Sequence, residues 1–302
     1  MIWMLLTLFY GLVKGLREIV KKKSLEKSTV MEVLFFYTLI GFVLLLPDIG
    51  EVSVMDAPLM LMVALKSLVI FLAWICGFRA IKEIPVSLYG LLDLSRVVFS
   101  MALGVFLLRE VLSTGQIAGM ILVALGLSAL RFEGRVNRLF AKEAGPAKER
   151  PSEEKTKGAS GSKLWLFVLL SFFSAFLNAV SGTLDKVLTK EISSAQLQFW
   201  YMLFLLGMYT LYILIGRIKI DWKRTVRNYW IWILSIIFIL ADRALFIANG
   251  IQESRVTVMT LIKQSGCIVT ILGGRLVFKE KGTGYKLCCA AVIITGIVLG
   301  TL

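Results

Sequence analysis

Residues 84–130 read IPVSLYGLLDLSRVVFSMALGVFLLREVLSTGQIAGMILVALGLSAL, and residues 254–300 read SRVTVMTLIKQSGCIVTILGGRLVFKEKGTGYKLCCAAVIITGIVLG. The two stretches align without a gap at one fixed offset, and the alignment runs from Ile81 to the carboxyl terminus. Identical residues at equivalent positions include the pairs Ser95 and Ser265, Gly104 and Gly274, Glu110 and Glu280, and Gly126 and Gly296. The apolar segments also begin and end at equivalent positions, so the chain is predicted to consist of two homologous halves.

The composition predicts an all-α integral membrane protein. Hydrophobic residues occupy 58% of the 302 positions and the mean hydropathy is +0.81, whereas soluble domains are about 45–50% apolar. Charged residues separate apolar runs that are long enough to cross a hydrocarbon core of ~30 Å. These runs predict ten transmembrane helices near residues 2–20, 30–47, 58–78, 85–107, 113–131, 164–188, 195–216, 228–249, 255–277 and 284–301.

The order of these helices predicts the domain organisation. Residues 1–131 form a first five-helix repeat, residues 132–163 form a charged flexible linker, and residues 164–302 form a second five-helix repeat. Because five is an odd number, the second repeat enters the membrane from the opposite side, and the repeats are predicted to be inverted. Inverted repeats hold their substrate near the midplane at their interface and expose it to each side in turn.

The positions of the basic residues predict the orientation of the chain. The net charge is +14, but the basic residues cluster at predicted membrane edges, from Arg17 to Lys27, from Arg131 to Lys163 and from Arg217 to Arg227. The opposite side carries only Arg109, Lys190 and Arg255. By the positive-inside rule both termini are expected to face away from the cytoplasm, in the plasma or inner membrane. No nucleic-acid partner is expected.

The sequence lacks the residues and motifs that several classes of enzyme chemistry require. The chain has no histidine, which removes the commonest general base and the commonest metal ligand. The four cysteines lie inside apolar runs, where small buried packing residues are expected, and no phosphate-binding glycine loop or nucleophile motif is present. The sequence therefore predicts a protein that is not an enzyme and needs no metal or cofactor.

The two quoted stretches resemble the EamA-type transporters of the drug/metabolite transporter superfamily, and the resemblance covers nearly the whole chain. In each stretch an apolar helix ends in a glutamate, Glu110 or Glu280, before a short turn and a glycine-bearing helix. The resemblance implies a secondary transporter of a small solute. The family usually has proline in the fourth and ninth helices, where this chain has Arg96 and Gly266.

Charged residues within the predicted helices mark the candidate substrate site, since such a charge costs roughly 2.5–3.5 kcal/mol at the bilayer centre. Asp93 and Arg96 share one helix face. The repeat relates Asp93 to Lys263 and Arg96 to Gly266, so Asp93, Arg96 and Lys263 are expected to meet in one cavity, with Gly266 leaving room for the guanidinium. Arg96 is the leading substrate contact, because arginine binds carboxylate or phosphate in a bidentate manner.

Three further residues complete the candidate substrate-binding set, namely Trp74, Asp242 and Arg243. Asp242 and Arg243 lie about 100° apart on a helix, so at most one of them is expected to face the cavity. Asp242 and Asp93 are candidate carboxylates for proton coupling. Asp185 and Lys186 are expected to reach the membrane surface from a helix end.

The charges within the helices also suggest what is carried. Counted together, the predicted intramembrane residues have more cations than anions, which favours an anionic or zwitterionic solute such as an amino acid or organic anion. Phosphorylated sugars are a further candidate class of substrate. The alternative is a non-transporting membrane or lipid-handling subunit whose buried charges only hold helices together. The sequence does not decide the coupling ion or the oligomeric state.

Overall fold

The computed structural model describes residues 2–108, 114–129, 161–189, 191–251, 262–280 and 282–299. Within these ranges all regular structure is helical, which confirms the predicted all-α class there. The helices are α1 (Ile2–Lys27), α2 (Val30–Leu45), a 3-10 helix (Leu46–Glu51), α3 (Ala57–Glu83), α4 (Val86–Asp93), α5 (Ser95–Leu108), α6 (Thr114–Ala129), α7 (Gly161–Leu188), α8 (Ser194–Ile215), α9 (Trp222–Val226), α10 (Tyr229–Gly250), α11 (Ser265–Phe278) and α12 (Thr283–Leu299).

Three helical segments in the described ranges are long and apolar enough to cross a membrane. They are α3, residues 164–185 of α7, and α8. Shorter apolar helices are α2, residues 117–129 of α6, α11, and residues 283–296 of α12. The predicted linker lies outside the described residues except for residues 161–163, which are helical and begin α7.

Two capping boxes mark the first turns of α2 and α8. The Thr29 side chain accepts the Glu32 N–H, and the Glu32 carboxylate accepts the Thr29 N–H at 2.7 Å. Ser193 and Gln196 make the same reciprocal pair at the start of α8. Each box satisfies two backbone N–H groups that the first helical turn leaves without partners.

The prediction of one continuous helix at residues 85–107 is wrong, because the helix is interrupted by a turn at Leu94, between α4 and α5. The Val97 N–H donates to the Leu94 carbonyl at 3.1 Å, a tight turn that interrupts the α-helical ladder. Residues 262 and 263 are helical, the chain turns at Gln264, and the Cys267 N–H donates to the Gln264 carbonyl at 2.9 Å. Equivalent positions of the two stretches therefore interrupt their helices.

Helix α1 is longer than the prediction, and its second half is buried rather than exposed at a membrane edge. Lys14, Glu18 and Lys21 are each less than 9% exposed, and the Arg17 side chain is 15% exposed. The prediction treated Arg17 and Lys21 as edge residues because they precede a run of lysines. They are buried because α1 packs between helices that carry aromatic rings and carboxylates.

The two predicted halves interlock through their helices. α1 packs against α10 and α11, α3 packs against α7 and α8, and α2 packs against α8 and α10. α6 crosses α12, and α4 lies against α11. Each of these contacts joins a helix of the first half to a helix of the second, so the core is shared between the halves.

Candidate functional site

An ion pair joins the last residue of α4 to the middle of α1. Lys14 Nζ lies 2.7 Å from Asp93 Oδ2, and the two side chains are 10% and 19% exposed. The prediction paired Asp93 with Arg96 on its own helix. The structure instead gives Asp93 a partner from α1, at a sequence separation that no local pattern could reveal.

Arg96 and Lys263 approach the same stretch of α1 from two sides. Lys263 Nζ lies 5.9 Å from the centroid of the Tyr10 ring, one helical turn from Lys14. Arg96 is half-buried, and Asp93, Tyr10, Arg17 and Tyr89 act on it electrostatically. Among the described residues no carboxylate lies within 4.0 Å of its guanidinium. Asp93, Arg96 and Lys263 thus all lie beside α1, and with Lys14 they form what we call the first charged cluster.

A second charged cluster surrounds Asp242 on α10. Arg17 Nη1 lies 3.7 Å from Asp242 Oδ1, and the Tyr201 hydroxyl donates to Asp242 Oδ2 at 3.5 Å. Lys66 Nζ lies 4.2 Å from the centroid of the Tyr201 ring and 3.0 Å from Asp185 Oδ1. Asp185 therefore pairs with a lysine that is only 2% exposed, which differs from the predicted position at the membrane surface.

Helix α1 connects the two clusters through residues that the sequence analysis did not select. Lys21 Nζ lies 2.6 Å from Glu18 Oε2, and it lies 4.7 Å from the centroid of Phe78 and 5.6 Å from that of Tyr89. The signal that could have identified this face is its spacing. Tyr10, Lys14, Arg17 and Lys21 recur every three or four residues, which places them on one side of a helix.

Trp74 belongs to an aromatic cluster beside Arg17. Its ring centroid lies 5.1 Å from that of Tyr37 and 5.7 Å from that of Phe238. The Arg17 guanidinium lies 5.5 Å from the centroid of Phe238. Trp74 therefore does not contact the second cluster's charges in these ring contacts; it packs against Phe238, which in turn packs against Arg17.

Arg243 is not brought to these clusters. Its side chain is exposed while that of Asp242 is half-buried, as expected for neighbours about 100° apart on one helix. Arg243 also has an interaction with a neighbouring group. The Lys186 side chain lies outside the described residues.

The two charged clusters, around Asp93 and around Asp242, both include residues of α1, and we call them together the charged centre. It is tightly packed in this conformation. A cavity of about 10 Å³ lies between α1, α4 and α11, and its lining includes Lys14, Glu18 and Asp93. A cavity of this size holds about one water molecule. A side chain at Gly266 would meet the backbone of Gly11 and Gly15, so the space at Gly266 is taken by α1, and the expected room for the Arg96 guanidinium is absent there.

Glu280 links the second half of the chain to the start of α4. Its carboxylate accepts the Val86 N–H at 2.6 Å, the Ser87 N–H at 3.1 Å and the Ser87 hydroxyl. Lys286 Nζ lies 3.9 Å from the same carboxylate and donates to Ser87 Oγ at 2.8 Å. Glu280 thus caps a helix of the other half. Its equivalent, Glu110, lies outside the described residues.

Comparisons with known proteins agree with this architecture. Residues 1–132 match the EamA-like transporter family, which belongs to the drug/metabolite transporter superfamily. No curated protein matches the chain. Solved structures do match, among them a crystal structure that aligns over 97% of this chain and 98% of its own length, with 14% sequence identity and a TM-score of 0.60. At that identity the likeness establishes a shared fold.

Proposed function

We propose that this chain, whose residues 1–132 match the EamA-like transporter family, is a multi-pass membrane transporter that carries a small anionic or zwitterionic metabolite by alternating access. Amino acids and organic anions lead among the candidate substrates. The family match over residues 1–132 supports transport itself. The substrate class and the mechanism rest on the charged centre and on the relation between the two halves.

The charge balance of the centre carries the proposal for an anion. The described cations around α1 whose charge partners are known are Lys14, Arg17, Lys21, Lys66 and Arg96, and the described carboxylates are Glu18, Asp93, Asp185 and Asp242. All four carboxylates already have a cationic partner within 4.0 Å. Arg96, which is half-buried, is the cation left over. Positive charge removed from water is unfavourable unless it is compensated, and a bound carboxylate or phosphate would compensate it at Arg96.

Matching interruptions of the helices support an inverted repeat. The chain turns at Leu94 and at the equivalent Gln264, with the same type of backbone hydrogen bond after each turn. Asp93 and Lys263 stand immediately before these turns. Interrupted membrane helices carry the binding groups in many transporters built from inverted repeats, because their free backbone groups face the substrate.

The contacts between halves also come in related pairs. The Ser67 hydroxyl of α3 donates to the Tyr201 carbonyl of α8 at 3.3 Å, and the Ser235 hydroxyl of α10 donates to the Tyr37 carbonyl of α2 at 3.3 Å. The first contact joins the third predicted helix to the seventh, and the second contact joins the eighth predicted helix to the second. Exchanging the halves converts one pair of helices into the other, as a pseudo-twofold axis requires, although the bonded residues themselves are not at equivalent positions.

The crossing of α6 and α12 obeys the same relation. A side chain at Gly126 would meet Ile293 and the carbonyl of Cys289. A side chain at the equivalent Gly296 would meet the backbone of Val123 and the carbonyl of Gly119, which are the equivalents of those two residues. The crossing thus repeats itself when the halves are exchanged, which supports ten helices in two inverted repeats.

The proposed orientation follows from the basic residues between the predicted transmembrane segments. We expect both termini to be non-cytoplasmic, in the plasma or inner membrane, because most basic connections lie on the other side. A reporter that is active only in the cytoplasm should be inactive at either terminus. Activity at a terminus would contradict this orientation.

Ligand-dependent thermal stability tests the proposed substrate class. A panel of amino acids, organic acids and phosphorylated metabolites is added to the purified protein, since a ligand at 100 times its Kd adds ~2.7 kcal/mol. An anion should stabilise the wild type but not Arg96→Ala, whereas Arg79→Ala, which alters an exposed arginine of α3, should keep the effect. Stabilisation by cations alone would contradict the charge argument.

The small cavity favours one competing function, in which the charges only hold the helices together in a non-transporting or lipid-handling subunit. Flux measured in proteoliposomes separates the two. A solute that stabilises the protein should also enter proteoliposomes, and Arg96→Ala should abolish entry. Stabilisation without flux would favour the structural role.

A further inference from the structure

A basic basin lies at the surface where α1 ends and α10 begins. Its volume is about 530 Å³, and it is lined by Lys27, Asp221, Lys223, Arg224, Arg227 and Asn228. It is remote from the charged centre and belongs to the side that carries most of the basic connections. Nothing in the proposed transport mechanism uses it.

Three of the four cations that line the basin are not neutralised by the described residues. Arg224 Nη2 donates to both Glu32 oxygens, at 2.9 Å and 2.8 Å, which neutralises that arginine. Lys27, Lys223 and Arg227 have no carboxylate within 4.0 Å among the described residues. Asp221 is the one acidic residue in the lining, and its Oδ1 accepts the Arg224 N–H at 3.0 Å. The basin therefore has an excess of positive charge.

Asn228 adds a requirement of a different kind. It is 2% exposed, and its Nδ2 donates to the Ser24 carbonyl at 2.9 Å and to Ser28 Oγ at 3.0 Å. The carbonyl partner fixes the orientation of the amide, because only a donor can face it. Asn228 Oδ1 is buried and receives no hydrogen bond from any described residue. A ligand of the basin should therefore offer a hydroxyl group as well as negative charge.

Apolar and aromatic residues flank the basin on the outer surface. Trp222, Val226, Tyr229 and Trp232 are between 44% and 54% exposed. Tryptophan and tyrosine are typical of the membrane–water interface, where the headgroups lie. A ligand whose charged part enters the basin could place acyl chains along this surface, whereas a free soluble anion would leave it unused.

We propose that the basin binds the headgroup of a glycerol-bearing anionic phospholipid of the phosphatidylglycerol class. The phosphate lies among Lys27, Lys223 and Arg227, and a glycerol hydroxyl donates to Asn228 Oδ1. The acyl chains follow the exposed aromatic surface into the bilayer. Basic pockets beside membrane helices bind anionic headgroups by this electrostatic attraction. The site is independent of the solute carried at the centre.

Lipid binding to the purified full chain tests the proposal. Native mass spectrometry measures the affinity for phosphatidylglycerol and for phosphatidylcholine with the same acyl chains. The double variant Lys27→Gln/Arg227→Gln should bind phosphatidylglycerol about thirtyfold more weakly, since each basic group near an anionic headgroup contributes roughly fivefold. The matched control Lys82→Gln/Lys219→Gln removes two exposed cations outside the basin and should bind as the wild type does.

Two comparisons identify the ligand group. Phosphatidylpropanol has the same singly charged phosphodiester but lacks the headgroup hydroxyls, so it should bind more weakly than phosphatidylglycerol if the Asn228 contact forms. Soluble glycerol phosphate should not compete at millimolar concentration, because it lacks acyl chains. Equal loss of affinity in both double variants, equal binding of the two anionic lipids, or efficient competition by glycerol phosphate would each overturn the proposal.

Discussion

Residues 86–108 of the first half and residues 262–278 of the second half turn at equivalent positions, Leu94 and Gln264, and make the same backbone hydrogen bond after the turn. Their side chains differ. Asp93 before the first turn is an anion bonded to Lys14, whereas Lys263 before the second is a cation beside Tyr10. Arg96 follows the first turn, and Gly266 follows the second.

This difference shows how two segments with the same kind of turn can carry opposite charges. On the Gly266 side the lack of a side chain lets α1 approach closely, with Gly11 and Gly15 against the backbone of α11. On the Arg96 side a guanidinium takes the equivalent position. α1 is thereby held by close packing against α11 and by an ion pair with α4. Four substitutions test this comparison, in order of expected effect.

Asp93→Asn should have the largest effect on stability. It leaves Lys14 buried without its carboxylate partner, which costs ~3–5 kcal/mol when one member of a buried pair is removed. The free energy of unfolding in detergent measures the loss. The double variant Lys14→Met/Asp93→Leu removes both charges and should recover most of it. A single variant as stable as the wild type would mean that no ion pair holds α1 to α4.

Gly266→Ala should come next. The added methyl group meets the backbone of α1, and overpacking of this kind costs ~1–3 kcal/mol. The matched control is Gly207→Ala in α8, where a methyl group meets nothing within 4 Å and should leave the melting temperature unchanged or raised. Equal melting temperatures for the two variants would show that α1 does not depend on this close approach.

Glu280→Gln should cost less, about 1–2 kcal/mol, because it weakens the charged hydrogen bonds to Val86 and Ser87 without removing every acceptor. Hydrogen exchange should accelerate at the start of α4, while α11 keeps its protection. Glu83→Gln changes an exposed glutamate and serves as the control. Faster exchange in both α4 and α11 would indicate general destabilisation of the protein and not loss of the cap on α4.

Arg96→Lys should have the smallest effect on stability, within about 0.5 kcal/mol, because the charge is kept. Its effect should appear in ligand affinity, which we expect to fall about tenfold for a carboxylate or phosphate ligand, since lysine cannot form the bidentate pair. Titration of the ligand identified by thermal stability measures this. Unchanged affinity would mean that Arg96 supplies charge alone.

The homology of the two halves stays a prediction, whereas the membrane class was predictable from the sequence, because hydropathy can be read directly from the residue types. The helix interruptions were not. Leu94 and Gln264 are ordinary helix formers, and no proline stands in either turn. Gly266 lies within the second turn, but a single glycine is also tolerated inside helices, so local propensity gives only a weak signal. Tertiary contacts of α1, α4 and α11 are what make the interruption favourable.

The charged centre was predicted in part. Asp93, Arg96 and Lys263 were selected because charges are rare within membrane helices. The structure places all three beside α1, but of the three only Asp93 lines the small cavity there. Arg17 and Lys21 were missed because the lysines that follow them resemble a membrane edge. The choice between Asp242 and Arg243 depends on how α10 is rotated, and that rotation is set by its packing against α1 and α2.

The Glu280 cap has a consequence for biosynthesis. The N–H groups of Val86 and Ser87 emerge from the ribosome long before Glu280, which lies 194 and 193 residues further along the chain. Until then these groups must be satisfied by water, lipid headgroups or an insertase. The start of α4 is therefore among the last parts of the first half to mature, and a chain truncated before Glu280 would leave it open to quality-control proteases.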